Sequence, residues 1–300
     1  MATVTVHHFT DPGCPWAYSV RPSHARLVWR FGDQLDWRLV MIGLAESVDA
    51  YVARGYTPER MTRGNRVFRA RFGMPFELHP KSRVAATARA CRAIVAARRA
   101  DPALGEAALR ALQFLQFTTT GLLDDDDDLR AALATVPGLD AAGIVAQIDD
   151  PAVMAAYEDD RARARRAAGS PTEAQDRAST SDGPVRYTAP SLVFEHADGR
   201  TLEAGGFQLF EACDLVLANL DPSLERRRPP ASAVDGLRAF PAGLTTAELA
   251  CVLRPSDLVD ADLPGTEDEL ISLVADGAVT RRPVGQDALW MASSGGARNV

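Results

Sequence analysis

The chain changes character abruptly between residues 10 and 15. Val4, Val6 and His8 fall on one side of an alternating run, and Thr3, Thr5, His7 and Phe9 on the other. That is the period of a strand of ~6 residues. Asp11-Pro12-Gly13-Cys14-Pro15 then halts the strand, and a helix is predicted from Pro15 through Trp16, Val20, Leu27 and Val28. Pro22 lies inside this helix and predicts a kink or a split. Leu35 to Leu44 reads as a second strand, with Trp37, Leu39 and Met41 on one face. The first 45 residues are thereby committed to a strand–helix–strand unit with a cysteine at the helix entrance.

About 130 residues of different texture follow, rich in Ala and Arg. Val84, Ala88, Cys91 and Val95 form a helical stripe. Ala107–Phe117, the stretch after Asp124–Asp128, Asp140–Ile148 and Pro151–Ala168 are further helical candidates, and no clear strand interrupts them. Ser170 to Pro184 reads as a loop. Strand character returns at Ser191–Phe194, and Thr201–Glu203 is placed to pair back across the Asp198-Gly199 turn. Phe207–Leu220 is a helix with Phe210, Cys213, Leu217 and Leu220 on one face. Arg226 to Gly236 is a linker by composition. Thr245–Leu253 reads as a short helix, Thr266–Glu269 as a capping box opening a helix to about Ala275, and Val279–Arg282 with Asp287–Met291 as a hairpin around Gly285. Ser293 to Val300 reads as frayed.

Cys14 carries the chemistry. If the helix starts at Pro15, Cys14 is its N-cap residue, and Pro15 occupies the first helical position, where its missing N–H costs nothing. Free N–H groups and the positive end of the dipole then favour thiolate over thiol, so the sequence predicts a lowered pKa and a nucleophile. Trp16 is expected to line an apolar pocket for substrate, and Tyr18 to offer its hydroxyl to a sulfur or oxyanion, with packing an equal alternative for both. Asp11 is read as making the turn before Gly13. His7 and His8 lie on opposite faces of the first strand and are read as structural. Cys91 and Cys213 lie on apolar stripes and are read as core, while Cys251 falls in the C-terminal unit.

The strand–Cys-Pro-Trp–helix opening resembles the DsbA-like branch of the thioredoxin superfamily. It is most similar to the FrnE-type members, which resemble 2-hydroxychromene-2-carboxylate isomerases and kappa-class glutathione transferases. Met41-Ile-Gly-Leu44 and Arg54-Gly-Tyr-Thr-Pro58 add to the likeness. The resemblance implies an α/β, thioredoxin-like fold over residues 1–225, with an inserted helical domain at about 46–170. A linker at 226–240 and a small C-terminal α+β unit at 241–295 complete the chain. It implies that Pro190, following Ala189 at the start of the third core strand, is the family's cis proline, and that Ala189 and Pro190 bind substrate together with Pro15, Trp16 and Tyr18. The departure is at position 17, where the family's second cysteine is replaced by Ala17. A dithiol enzyme resolves its mixed disulfide with that second thiol. The implied activity is therefore thiol-dependent oxidoreduction on one cysteine, with no cofactor beyond a small cellular thiol as co-substrate. The alternatives are an isomerase or transferase that binds such a thiol, and a redox-inert adaptor.

Charge and length bound the rest. The 300 residues carry 33 Lys and Arg against 40 Asp and Glu, a net charge of −7, which opposes phosphate backbones. The C-terminal unit, helix–helix–hairpin in order, hints at a winged-helix-like module. Its acidic residues Glu267, Asp268, Glu269 and Asp276 argue for a protein contact rather than DNA. Four scattered cysteines fit neither a disulfide scaffold nor a metal site, and the Asp124–Asp128 run lacks the spacing of a calcium loop. No basic-apolar leader opens the sequence and no uncharged apolar run reaches ~18 residues. A soluble cytoplasmic protein without a membrane partner is expected, acting on a thiol or disulfide of a protein or small molecule. Homodimerisation is left open.

Overall fold

The computed structural model describes residues 3–181, 183–256 and 258–293. Residues 294–300, most of the stretch read as frayed, lie outside the described residues. Strand β1 (Val4–Thr10) leads into helix α1 (Pro15–Ser19), α2 (Arg21–Phe31) and β2 (Leu35–Met41). The expected helix is split at Val20, with Pro22 in the first turn of α2, where a proline is tolerated. Helices α3 (Val48–Val52), α4 (Pro58–Phe72), α5 (Ala88–Ala100), α6 (Pro102–Thr118), α7 (Asp126–Leu133), α8 (Ala141–Ala146), α9 (Pro151–Ala164) and α10 (Pro171–Ala174) follow. The chain re-enters the core through two short paired strands, β3 (Ala178–Ser179) and β4 (Arg186–Tyr187), the first of them inside the stretch read as a loop. It finishes the core with β5 (Ser191–His196), β6 (Thr201–Ala204) and α11 (Phe210–Leu220).

The core sheet runs β2-β1-β5-β6. Strand β2 is parallel to β1, while β5 and β6 are antiparallel to their neighbours, with Val6 opposite Trp37 on one side and Phe194 on the other. Parallel strands need a crossover, which α1 and α2 supply. The alternation of β1 sorts its side chains. Val4 and Val6 join Leu27, Phe31, Phe194, Phe210 and Leu217 in one buried cluster. Phe9, on the other face, packs with Cys14, Ile42, Ala164 and Tyr187. The helical insertion has its own core, in which Cys91 lies among Ile94, Leu109, Leu112 and Tyr157, as its stripe predicts. The insertion is tied to β2 by Asp160, which accepts the Met41 N–H at 2.8 Å and pairs with Arg98 at 2.7 Å.

The acidic run opens a helix. Asp125 caps α7 by accepting the N–H groups of Asp127 and Asp128, and the acids of the first turn suit the dipole. Arg161 and Arg165 are tied down: Arg161 pairs with Glu46 and Glu158, and Arg165 donates to the Ile42 carbonyl at 3.1 Å.

Beyond α11 the chain forms α12 (Ala233–Arg238), β7 (Leu244–Thr245), α13 (Thr246–Leu253), α14 (Leu263–Ala275), β8 (Val279–Val284) and β9 (Asp287–Ala292), with sheet order β7-β9-β8. Two features differ from the sequence reading. Helix α12 lies within the stretch read as linker, and its Ala233 and Leu237 are buried with Leu249, Leu270 and Trp290. Helix α14 starts at Leu263 rather than Thr266, because Asp262 caps it through the Gly265 N–H and Pro264 falls in its first turn. The capping box is formed instead at α13, between Thr245 and Glu248. This unit is not tethered loosely: Ala25 of α2 belongs to its core. Glu248, with 1% of its side chain exposed, reaches out of it to Arg21 at 3.2 Å and Arg110 at 2.6 Å. Among the described residues no helix is long and apolar enough to cross a membrane.

Candidate active site

Asp11 organises the turn that presents Cys14. Its carboxylate is fully buried and accepts the Gly13 N–H (2.8 Å), the Leu44 N–H (2.8 Å), the Thr87 hydroxyl (3.0 Å) and the Cys91 thiol (3.5 Å). The expected turn is there, and with it a link between β1, the end of β2 and the start of α5. A Cβ on Gly13 would stand 2.5 Å from the Thr87 methyl, so only glycine fits between the two segments. Burial pushes the Asp11 carboxyl up, against the pull of the Leu44 and Gly13 N–H groups.

Cys14 caps α1 with an extended backbone, and Pro15 takes the first helical position. The thiol does not stand in solvent. It is 5% exposed, packed with Ala17, Ile42 and Tyr187, and donates to the Ala189 carbonyl at 3.1 Å. Burial pushes its pKa up to about 12, and the nearby Asp11 carboxylate adds to this; the N–H groups of Ala17 and Trp16 and the Arg186 guanidinium pull the other way. The expectation of a lowered pKa is thus overturned. Desolvation of the thiolate outweighs the stabilisation offered by the short helix α1. Exchanging Asp11 for Asn removes the charge that raises Cys14. The alkylation midpoint of Cys14 is expected to fall in pH, while stability drops by about 1–3 kcal/mol as the new amide faces the turn's N–H donors. A pH series of iodoacetamide rates beside a urea melt reads both.

Ala189–Pro190 is joined by a cis peptide and both residues are buried, beside the sulfur. Trp16 stands at the rim, 39% exposed, edge-on to Phe68, Phe72 and Phe207 at 4.8, 5.9 and 5.3 Å between ring centroids. The fold therefore gathers Cys14, Pro15, Trp16, Ala189 and Pro190 at one mouth. Tyr18 is not brought there. One turn further on, it is fully buried, stacked on Phe117 and donating its hydroxyl to the Pro75 carbonyl at 3.0 Å, so it knits α1 to the helical insertion. Ala17, in place of a second cysteine, is buried at 1% exposure.

The sequence reading missed the aromatic wall built by Phe68, Phe72 and Phe207, and Arg186, whose charge acts on Cys14. These residues come from α4, β4 and the loop after β6, and no local pattern connects them to residue 14. His7 is held by Arg163 at 2.9 Å and Glu195 at 2.8 Å, and so is structural. His8 is buried, edge to face with His24 and Trp37. Among the described residues no group of three or more His, Cys, Asp or Glu side chains converges as for a metal ion.

The model of the DsbA-like thioredoxin domain matches residues 5–182. No curated protein matches the chain by sequence. Among solved structures, a Nitrosomonas europaea protein assigned as a protein disulfide isomerase superposes with a TM-score of 0.56 at 15% identity, covering 72% of this chain and 97% of that one. The cytosolic disulfide reductase DsbM from Pseudomonas aeruginosa superposes with a TM-score of 0.50 at 22% identity, covering 73% and 98%. The same reductase solved with glutathione gives 0.50 at 23% identity, over the same shares of each chain. These likenesses speak for the fold. With a family model spanning more than half its length and the β2-β1-β5-β6 sheet in place, the chain belongs to the DsbA-like thioredoxin-domain family.

Proposed function

We propose that the protein is a cytoplasmic thiol–disulfide oxidoreductase that works with a single cysteine, Cys14, and a small cellular thiol as co-substrate. The observation that carries the reading is the Cys14 sulfur at the mouth of α1, 3.1 Å from the Ala189 carbonyl that precedes Pro190. Cys14 loses its proton, and the thiolate is held by the N–H groups of Trp16 and Ala17. It attacks one sulfur of a mixed disulfide; the S–S bond breaks and the departing thiolate takes up a proton. Cys14 is left joined to the small thiol. A second small thiol then attacks that bond, regenerates Cys14 and leaves joined to the first as the symmetrical disulfide, its sulfur oxidised to the disulfide level as the substrate sulfur is reduced to a thiol. Ala17 cannot perform this resolving step, which is why the external thiol is needed. The aromatic rim of Trp16, Phe68, Phe72 and Phe207 gives the substrate an apolar surface beside the sulfur.

The raised pKa favours a second reading, in which the helix mouth binds the sulfur of a small thiol that is itself the nucleophile, as an isomerase or transferase would use it. Incubation with glutathione disulfide followed by intact-protein and peptide mass spectrometry separates the two. Oxidoreduction gives one glutathione adduct, on Cys14, that glutathione then removes. An unmodified Cys14 in a protein that binds reduced glutathione by calorimetry would replace the first reading with the second. The variant Ala17→Cys is expected to form a disulfide between Cys14 and the introduced thiol, with turnover that no longer requires the small thiol for resolution. Thiol counting and a disulfide-reduction assay check both.

A further inference from the structure

A second cavity, to which neither Cys14 nor Ala189 contributes, lies where the thioredoxin core, the helical insertion and the C-terminal unit meet. Its volume is about 380 Å³, within the ~300–1,000 Å³ typical of small-molecule sites. One wall is aromatic: the His8 and His24 rings meet edge to face at 4.8 Å, and Trp37 closes on them at 6.0 and 5.5 Å. Both imidazoles are neutral at pH 7, because burial lowers His8 to about 3 and His24 well below its ordinary value. The other wall is the ion cluster of Arg21, Arg110 and Glu248, and the segment 239–244 of the C-terminal unit and apolar residues of α2 and α6 line the remainder.

The polar groups of this cavity are incompletely matched. Two guanidiniums, on side chains 12% exposed, share the one buried carboxylate, Glu248, and Arg21 also donates to the Gln113 side-chain oxygen at 3.0 Å. The second carboxylate on Arg21, Glu106 at 3.2 Å, is 53% exposed, so it neutralises the pair only from the rim. The cavity therefore combines an uncharged wall of edge-to-face aromatic rings with two guanidiniums set against one buried carboxylate.

We propose that this cavity binds a small aromatic carboxylic acid, its ring against His8, His24 and Trp37 and its carboxylate on Arg21 and Arg110 in place of Glu106. Carboxylates suit guanidinium donors in paired geometry, and the rim ion pair that the ligand displaces is weak because it is solvated. The proposal stands apart from the chemistry at Cys14. It gives the protein a ligand-sensing junction, since the occupied cavity would touch all three parts of the chain.

Benzoate is the probe, titrated calorimetrically into the whole protein. The expected result is saturable one-site binding. Benzyl alcohol, which keeps the ring and loses the charge, is expected to bind at least ~10-fold more weakly. Ala107→Phe, which fills the cavity from α6, is expected to weaken benzoate at least ~10-fold, and Glu106→Gln, which removes the competing carboxylate, to tighten it. The last variant alters an exposed side chain, so it reports even if the Phe variant does not fold. Absence of saturable binding, equal affinity for benzyl alcohol, or benzoate affinity unmoved or reduced by Glu106→Gln overturns the proposal.

Discussion

Replacing Glu248 with Ala is expected to lower the free energy of unfolding by about 3–5 kcal/mol, measured by urea denaturation. The carboxylate is 1% exposed and is the shared partner of Arg21 and Arg110. Burial alone would raise its pKa, but the two guanidiniums and the Thr245 N–H hold it below the ordinary carboxylate range. Removing it leaves two buried positive charges facing each other, and removes the capping box of α13 as well, since Glu248 Oε2 accepts the Thr245 N–H at 2.8 Å. Each loss has its own cost, and the charge term is the larger. A triple change of Glu248, Arg21 and Arg110 to Leu, Met and Met is expected to recover most of the loss, because an apolar trio of similar size carries no desolvation cost. A loss below about 1 kcal/mol for Glu248→Ala, the range of exposed pairs, would show that water reaches the cluster and that it does not hold the C-terminal unit to the core.

The second large effect is on the alkaline side. Burial pushes the Cys14 and Cys213 thiols up to about 12, Cys91 well above its ordinary value, and Cys251 upward. An unfolded chain ionises its thiols near ~8.5. Between that pH and about 12 the folded protein holds more protons than the unfolded one, so stability falls as pH rises, by about 1.4 kcal/mol per pH unit for each of Cys14 and Cys213. Below ~8.5 both states keep the protons and the thiols contribute no slope. Urea melts from pH 7 to 10 should show this decline, and Cys14→Ala should remove one proton's share of it. In the native protein at pH 8, Cys14 should be alkylated at least ~100-fold more slowly than a free cysteine. A fast native reaction would mean that the mouth of α1 opens readily and relieves Cys14 of its burial. The same measurement bears on mechanism, because a thiol this well buried must be uncovered or relieved of the Asp11 charge before it can attack.

The order of elements was legible where one residue type leaves one option. The alternation of Val4 to Phe9 assigns β1 and its two faces, and Pro15 and Pro22 set the starts of α1 and α2. The Val84/Ala88/Cys91/Val95 stripe puts Cys91 in a helical core. Helix boundaries were missed where two capping signals compete: Thr266–Glu269 has the pattern of a box, yet Asp262 with Pro264 starts α14 a turn earlier, because the first cap that the chain can satisfy propagates onward. Helix α12 was hidden inside a stretch whose Arg and Pro content imitates a linker. Its Ala233 and Leu237 count as apolar only once Leu249 and Trp290 are packed on them.

For the site, the sequence by itself determined that Cys14 stands at a helix entrance, that Ala17 denies it a resolving thiol, and that Pro190 opens a core strand. These depend on covalent order and on backbone limits that proline and glycine impose locally. Only the tertiary structure decided how those residues behave. The helix mouth argues for a thiolate, but Ile42, Tyr187 and Ala189 close over the sulfur and reverse the sign of the shift, since desolvation depends on what packs around a charge and not on its neighbours in sequence. Tyr18 turned inward for a like reason, with Phe117 and the Pro75 carbonyl waiting on the insertion. The cavity shared by His8, His24, Trp37, Arg21 and Arg110 could be found only in three dimensions, because its walls come from a strand pair, three helices and the segment 239–244, which lie far apart along the chain.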